Sequence, residues 1–252
     1  MSSLTTKRVT SQAIRRIDNQ PVYVLHTYPF KETSLVVELF SKDFGRVAAV
    51  AKGARRPRSA MRGMLQSFQT LSGAWSGKNE LRTLHSLDWS AGLLLLQGEA
   101  MMCGFYLNEL LLRLLPREDA HEDLFDYYTQ TLQTLMTAKE LANTLRKFEL
   151  TMLQEMGYAV PLTHDENDLE IDPELTYCYE ADYGAKLSGT SLGTHQNGVQ
   201  LLGKTMVDMA QGDYRSARTQ SQSKQLMRYL LAHYLGDKPL HTRQLLIDLQ
   251  RF

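Results

Sequence analysis

The sequence predicts an α+β fold, a small five-stranded barrel followed by a mostly α-helical region that carries a small β-hairpin. From Val22 to about Leu87 the pattern is that of short β-strands between turns, and after Trp89 the period changes to a helical one. The charge divides at the same place, with 14 Lys and Arg against 6 Asp and Glu up to Trp89, and 14 against 22 beyond it. At 252 residues the chain also exceeds a usual single domain of about 100 to 150 residues, so two units are expected.

The strands fall at Val22 to Tyr28, Ser34 to Phe40, Arg46 to Lys52, Met64 to Trp75 and Leu81 to Leu87. Asp43 to Gly45 reads as a tight turn between the second and third, and Ser76 to Asn79 as one before the fifth. Five short strands suit a small barrel such as the OB-fold. Ahead of them, residues 1–20 contain no apolar run longer than Ala13 and Ile14, so a polar, flexible tail with no signal-peptide hydrophobic region is expected. The barrel is then bounded at 21–89.

The second unit, 90–252, opens with a helix over Glu99 to Leu115, apolar almost all round and ended by Pro116. Glu118 to Met136 and Ala138 to Met156 are further helices, the latter with Leu141, Leu145, Phe148, Met152 and Met156 at helical spacing and Gly157 as its stop. Pro161 to Pro173 reads as an acidic loop. Leu175 to Leu187 alternates about the turn Asp182 to Gly184 as a hairpin does. Val199 to Ala210, Ser216 to Leu235 and Thr242 to Leu249 are predicted helical.

Composition excludes several classes. Hydrophobic residues at 43% and charged residues at 22% supply a real core and rule out wholesale disorder. The most apolar stretch, Ser90 to Leu115, is broken by Glu99, Glu109 and Arg113, so no membrane span is expected. Two cysteines, Cys103 and Cys178, cannot build a disulfide framework, and neither has zinc ligands at short spacing. A reducing compartment is expected.

One motif has to be weighed. Gly198 to Thr205 spells the phosphate-loop pattern G-x-x-x-x-G-K-[ST], yet no buried strand precedes it, and Val199, Leu201 and Leu202 seek a core rather than a phosphate. A helix start that happens to fit the pattern is expected. The seven histidines are scattered without metal-ligand spacing, and the acids from Asp165 to Glu174 lack the Gly and closing Glu of an EF-hand. No catalytic residue, metal or cofactor is assigned.

The basic stretch differs. Lys52, Arg55, Arg56, Arg58 and Arg62 fall within eleven positions, among Gly and Pro that break regular structure, and no acid occurs between Asp43 and Glu80. Ordinary surfaces mix signs. Cations so arranged suit phosphate chains, whose counterions they displace, while Tyr28, Phe30, Phe40, Phe44, Phe68 and Trp75 supply aromatics of which some can stack bases. Lys31 and Arg46 flank the stretch. Arg215, Arg218, Lys224, Arg228, Lys238 and Arg243 offer a second basic surface, or solvated helix faces.

Glu32-Thr33-Ser34, Gly45-Arg46-Val47, Ala51-Lys52-Gly53-Ala54-Arg55, Tyr106-Leu107-Asn108-Glu109-Leu110, Leu145-Arg146-Lys147-Phe148-Glu149-Leu150 and Gly157-Tyr158 follow one another in register. Together, from about Pro21 to Leu246, they resemble the bacterial RecO family of DNA repair proteins. The resemblance implies an N-terminal OB-fold, a helical C-terminal region, and no enzymatic turnover. It implies binding of single- and double-stranded DNA and annealing of complementary strands coated by single-stranded DNA-binding protein (SSB). With RecR as partner it also implies loading of RecA, by a protein that is a monomer alone, cytoplasmic, and at the nucleoid during repair. Its implied site for the SSB C-terminal tail falls at Arg146 and Met156, with Lys147 and Phe148 beside them. Some members hold zinc with four cysteines in the stretch matching 161–187, where this chain has only Cys178, so zinc is not expected. An NTPase using Lys204 and an OB-fold RNA-binding factor of translation are the alternative classes.

Overall fold

Strand alternation and two opposite-facing sets of apolar side chains organise the first 89 residues. In the computed structural model, which describes residues 16–158, 160–188, 198–236 and 240–242, the strands are β1 (Arg16–Phe30), β2 (Ser34–Ser41), β3 (Gly45–Ala51), β4 (Leu71–Ser76) and β5 (Leu81–Trp89). They close a barrel in the order β1-β2-β3-β5-β4, every neighbouring pair antiparallel except β3 with β5. That is the OB-fold arrangement. Val22, Val24, Val37, Leu39, Trp75 and Leu84 fill the interior, each contributing roughly 1.5 to 3 kcal/mol by leaving water. The opposite face of the same strands presents Tyr23, Leu25 and Phe40, which belong to the core of the helical region.

The barrel departs from expectation twice. β1 begins at Arg16, so residues 16–20, expected as tail, pair with β4 through Arg16↔Ser76 and Gln20↔Gly73. The expected strand from Met64 to Trp75 starts only at Leu71. Before it come a short helix, α1 (Met61–Met64), and an irregular segment. Phe68 explains the interruption: it has φ 70° and turns out of the barrel to meet Phe105 at 4.9 Å, while the Gln69 carboxamide exchanges hydrogen bonds with the backbone of Leu94 at 2.7 and 3.1 Å. A strand there would bury neither group against the helices.

The helical region is α2 (Gly98–Leu114), α3 (Glu122–Met136), α4 (Leu141–Glu155), α5 (Gly203–Ala210) and α6 (Ala217–Leu235), with a three-stranded sheet β7-β6-β8 built from β6 (Thr176–Glu180), β7 (Gly184–Leu187) and β8 (Val199–Leu202). The expected hairpin is β6 with β7, paired Tyr177↔Leu187 to Glu180↔Gly184. Val199 to Leu202, expected as helix, is the third strand, because its apolar residues pair with β6 rather than turning over a helix face. Residues 118–121 stay outside α3, since Glu118 N–H donates to the Arg46 carbonyl at 3.0 Å. Met101 and Phe105 on α2 are exposed, so that helix is less completely covered than its composition suggests. The helix expected at Thr242 to Leu249 lies outside the described residues beyond 242, as does the tail before Arg16.

Among the described residues no helix is long and apolar enough to cross a membrane.

Candidate nucleic-acid interface

The basic loop leaves the barrel at Ala51 and is held by one buried methyl. Ala54 sits fully inside the barrel, its N–H reaching the Ala51 carbonyl, while Arg55 N–H donates to the Thr33 carbonyl at 2.9 Å and Arg56 N–H to that of Gly53 at 3.0 Å. With Ala54 turned inward, its neighbours Lys52, Arg55, Arg56 and Arg58 turn outward and are exposed. Ser59 N–H then donates to the Arg56 carbonyl and leads into α1, where Arg62 is exposed.

The β1–β2 turn completes the cluster. Arg55 Nη1 approaches the Lys31 carbonyl at 3.4 Å, and Lys31, in the left-handed region at φ 51°, holds its ammonium 5.4 Å from the Phe30 ring centre. Six cations thus gather at one barrel end, and among the described residues none of them ion-pairs with a carboxylate. Unneutralised positive charge of this density favours a polyanion, because each phosphate bound releases condensed counterions.

Arg46 does not join them. Its Nε donates to the Leu115 carbonyl at 2.9 Å and its Nη1 to Glu38 Oε2 at 3.2 Å, and Arg117 Nη2 takes Glu38 Oε1 at 2.5 Å. Arg46 lies opposite Phe40 on the barrel face that the helical region covers, so its guanidinium neutralises a buried acid instead of meeting solvent. The expectation that it flanks the DNA site is corrected on that ground. Four of the candidate aromatics are likewise withdrawn from stacking: Phe40, Phe68 and Trp75 are buried, and Phe44 packs edge-on against Trp75 at 5.7 Å. Tyr28 is exposed and Phe30 half-buried.

On α4, Arg146 Nη2 donates to the fully buried Glu149 at 2.6 Å, and Tyr106 Oη donates to the same carboxylate oxygen at 2.6 Å. Lys147 is exposed, 5.8 Å from the Tyr214 ring centre, and Met156 is half-buried at the helix end. Phe148 is fully buried, stacked 6.1 Å from Tyr127, and therefore a core residue, not a surface contact. Burial pushes the Tyr214 hydroxyl up to about 12, with the Glu149 charge acting in the same direction.

The phosphate-loop match resolves into a strand and a helix start. Leu202 N–H donates to Gln222 Oε1 at 3.2 Å, Gly203 N–H to the Leu175 carbonyl at 2.7 Å and Lys204 N–H to that of Pro173 at 2.8 Å, so amides that would cradle a phosphate are committed elsewhere. Lys204 Nζ pairs with Asp208 at 2.5 Å, and a Cβ at Gly203 would run into the Asp172 carbonyl. Of the second basic set, Arg218, Lys224 and Arg228 are exposed on α6, Arg215 is paired with Asp213, and Lys238 and Arg243 lie outside the described residues. Cys178 is buried in β6. Among the described residues no cluster of three His, Cys, Asp or Glu could hold a metal ion.

Residues that sequence reasoning gave no role tie the units together: Glu38, Asn108 and Arg117 hold the barrel to the helical region, and Glu149 joins α4 to α2. Asn108 carried a signal, as an amide in an otherwise apolar helix has to find buried partners. Glu38 carried a weaker one, an acid within the apolar strand Ser34 to Phe40.

Comparison with known proteins covers nearly the whole chain. Residues 17–93 match the family described as Recombination protein O N terminal, and residues 95–244 the one described as Recombination protein O C terminal. A DNA repair protein RecO of Nitrosospira multiformis is 54% identical over 238 residues, covering 94% of this chain and 98% of that one. Proteins of the same name from Dechloromonas aromatica (93% and 97% covered) and Aromatoleum aromaticum (94% and 98%) are 49% and 50% identical.

Proposed function

The chain belongs to the recombination protein O family of DNA repair proteins, and from that premise we propose that it is a recombination mediator that binds single- and double-stranded DNA and turns over no substrate. The observation that supports this reading is the group Lys31, Lys52, Arg55, Arg56, Arg58 and Arg62, exposed at one barrel end and, among the described residues, without carboxylate partners. Annealing makes and breaks no covalent bond. Two polyanions are held against cations until base pairing takes over, and sequence need not be read.

The labour divides at the barrel boundary. The barrel, to residue 89, holds DNA, and the helical unit, 90–252, holds proteins. The SSB C-terminal tail, an acidic peptide ending in an aromatic and a free carboxylate, docks on α4 at Lys147 and Met156 with Arg146 alongside. RecR joins the complex, and RecA is loaded through it. The protein works as a monomer in the bacterial cytoplasm, at the nucleoid during repair.

Annealing of SSB-coated complementary oligonucleotides tests this function. Wild-type protein accelerates it, and replacing Arg55, Arg56 and Arg58 together by Ala removes most of the acceleration. Equal rates for the two proteins would sink the reading. For the tail, a labelled peptide binds wild type more tightly than Lys147→Ala; equal affinities place that site elsewhere.

A further inference from the structure

The outer face of β1 changes character at a single bulge. Pairing with β2 runs Val24↔Leu39 and then His26↔Glu38, leaving Leu25 as the extra residue. Before the bulge Tyr23 is buried, 5.3 Å from Phe125 and 5.0 Å from Tyr128. After it the helical layer no longer covers the strand, and His26 and Tyr28 stand in solvent.

Those side chains recur with the period of a strand. His26, Tyr28 and Phe30 pair with Glu38, Val36 and Ser34, so alternation puts all three on the outer face, one row apart. His26 and Tyr28 meet edge to face, centroids 4.5 Å apart at 64°, which props a tyrosine that remains 45% exposed. Phe30 lies under the Lys31 ammonium, and Lys31 adjoins Arg55. The row therefore starts at the helical layer and ends in the cation cluster.

We propose that His26, Tyr28 and Phe30 form a stacking shelf for unpaired bases, with Tyr28 its principal ring, so that this end of the barrel prefers single-stranded to duplex DNA. The proposal rests on the DNA-binding reading above. Phosphate contacts alone do not favour the single strand, because the duplex carries the denser charge. Ring faces do, because a duplex hides its bases in the stack while a single strand offers them. The strand backbone fixes the direction of Tyr28, so little order has to be imposed on binding.

Full-length wild type, Tyr28→Ala, Tyr28→Phe and the Arg55, Arg56, Arg58 triple-Ala variant are titrated with a fluorescein-labelled oligothymidylate and a blunt duplex of equal length. Tyr28→Ala is expected to weaken single-strand binding about tenfold, with duplex binding within twofold of wild type and an unchanged salt slope. Tyr28→Phe retains wild-type affinity. Loss on both DNAs equally, or no loss on the single strand, overturns the shelf. A triple variant that binds both DNAs like wild type overturns the DNA-binding reading itself. If the triple variant fails on both while Tyr28→Ala leaves the single strand untouched, only the shelf falls. The melting temperature of Tyr28→Ala, expected near wild type for an exposed side chain, separates a binding defect from misfolding.

Discussion

Asn108 Nδ2 on α2 donates to the carbonyl of Leu25 at 3.0 Å, supplying a partner to the bulged residue of β1. Its Oδ1 accepts from Tyr128 Oη on α3 at 2.5 Å, and burial holds that hydroxyl well above its ordinary range, hence protonated and donating. One carboxamide thus satisfies a strand and a second helix at the joint between barrel and helices. Tyr23 reinforces the joint by donating to Thr129 at 3.0 Å.

Asn108→Ala leaves both the Leu25 carbonyl and the Tyr128 hydroxyl buried without that partner. A loss of about 2 to 4 kcal/mol in unfolding free energy is expected, read by urea denaturation. A loss within about 0.5 kcal/mol would show that water replaces the amide.

The plot of log K against log salt for single-stranded DNA flattens by up to about three units when Arg55, Arg56 and Arg58 all become Ala, and all sequences weaken alike. Fluorescence anisotropy at several salt concentrations measures it. An unchanged slope would make the loop mere surface.

Arg46→Ala behaves oppositely. Glu38 is buried and would keep only Arg117, and the Leu115 carbonyl would lose its donor, so about 2 to 4 kcal/mol of stability goes while the salt slope stays. Arg58→Ala, by contrast, lowers the slope by about one and leaves the urea midpoint in place. Matching results for the two variants would contradict their different placement.

Lys204→Ala is expected to change stability by less than about 1 kcal/mol, since Lys204 is largely exposed and Asp208 retains the Thr219 hydroxyl at 2.7 Å. DNA annealing stays at the wild-type rate and isothermal titration gives no heat with ATP. An ATPase abolished by this substitution would reverse the non-enzyme reading.

Burial, with the Glu99 charge adding to it, pushes the Cys103 thiol from its ordinary 9.0 up to about 11. The folded chain then holds this proton more tightly than the unfolded one, so the stability it contributes is whole below pH 9 and is lost as the pH climbs toward 11. The melting temperature should drop over that interval, and drop less in Cys103→Ser. Parallel curves for the two proteins would remove the thiol as a cause.

Short apolar runs and turn residues made most of the barrel legible, since β2 and β3, covered on both faces, are apolar along most of their length. They failed where a residue serves the other unit. Phe68 and Gln69 are committed to the helical core and its linker, which local pattern cannot reveal, and Val199 to Leu202 takes its conformation from β6. The site was read on the same terms. In the candidate site, Lys52 to Arg62 stand out by the lack of any acid between Asp43 and Glu80, whereas the buried partners of Arg46 and Arg146, Glu38 and Glu149, are visible only once the strands and helices are folded together. Phe148 obeyed its helical spacing and is core.

The closure of β3 on β5 bears on how this molecule meets others. A sheet joined to itself has no strand left open along its whole length, which narrows the template offered to an extended chain and the seam offered to a second copy. The small sheet is guarded as well, for Glu166 N–H donates to the Ala185 carbonyl on β7 and the Gln222 side chain takes the Leu202 amide on β8. Recognition through the described strands therefore falls mainly to side chains, and side-chain contacts with a phosphate chain can be surrendered one at a time, which would suit the release of two paired strands under the annealing function proposed above.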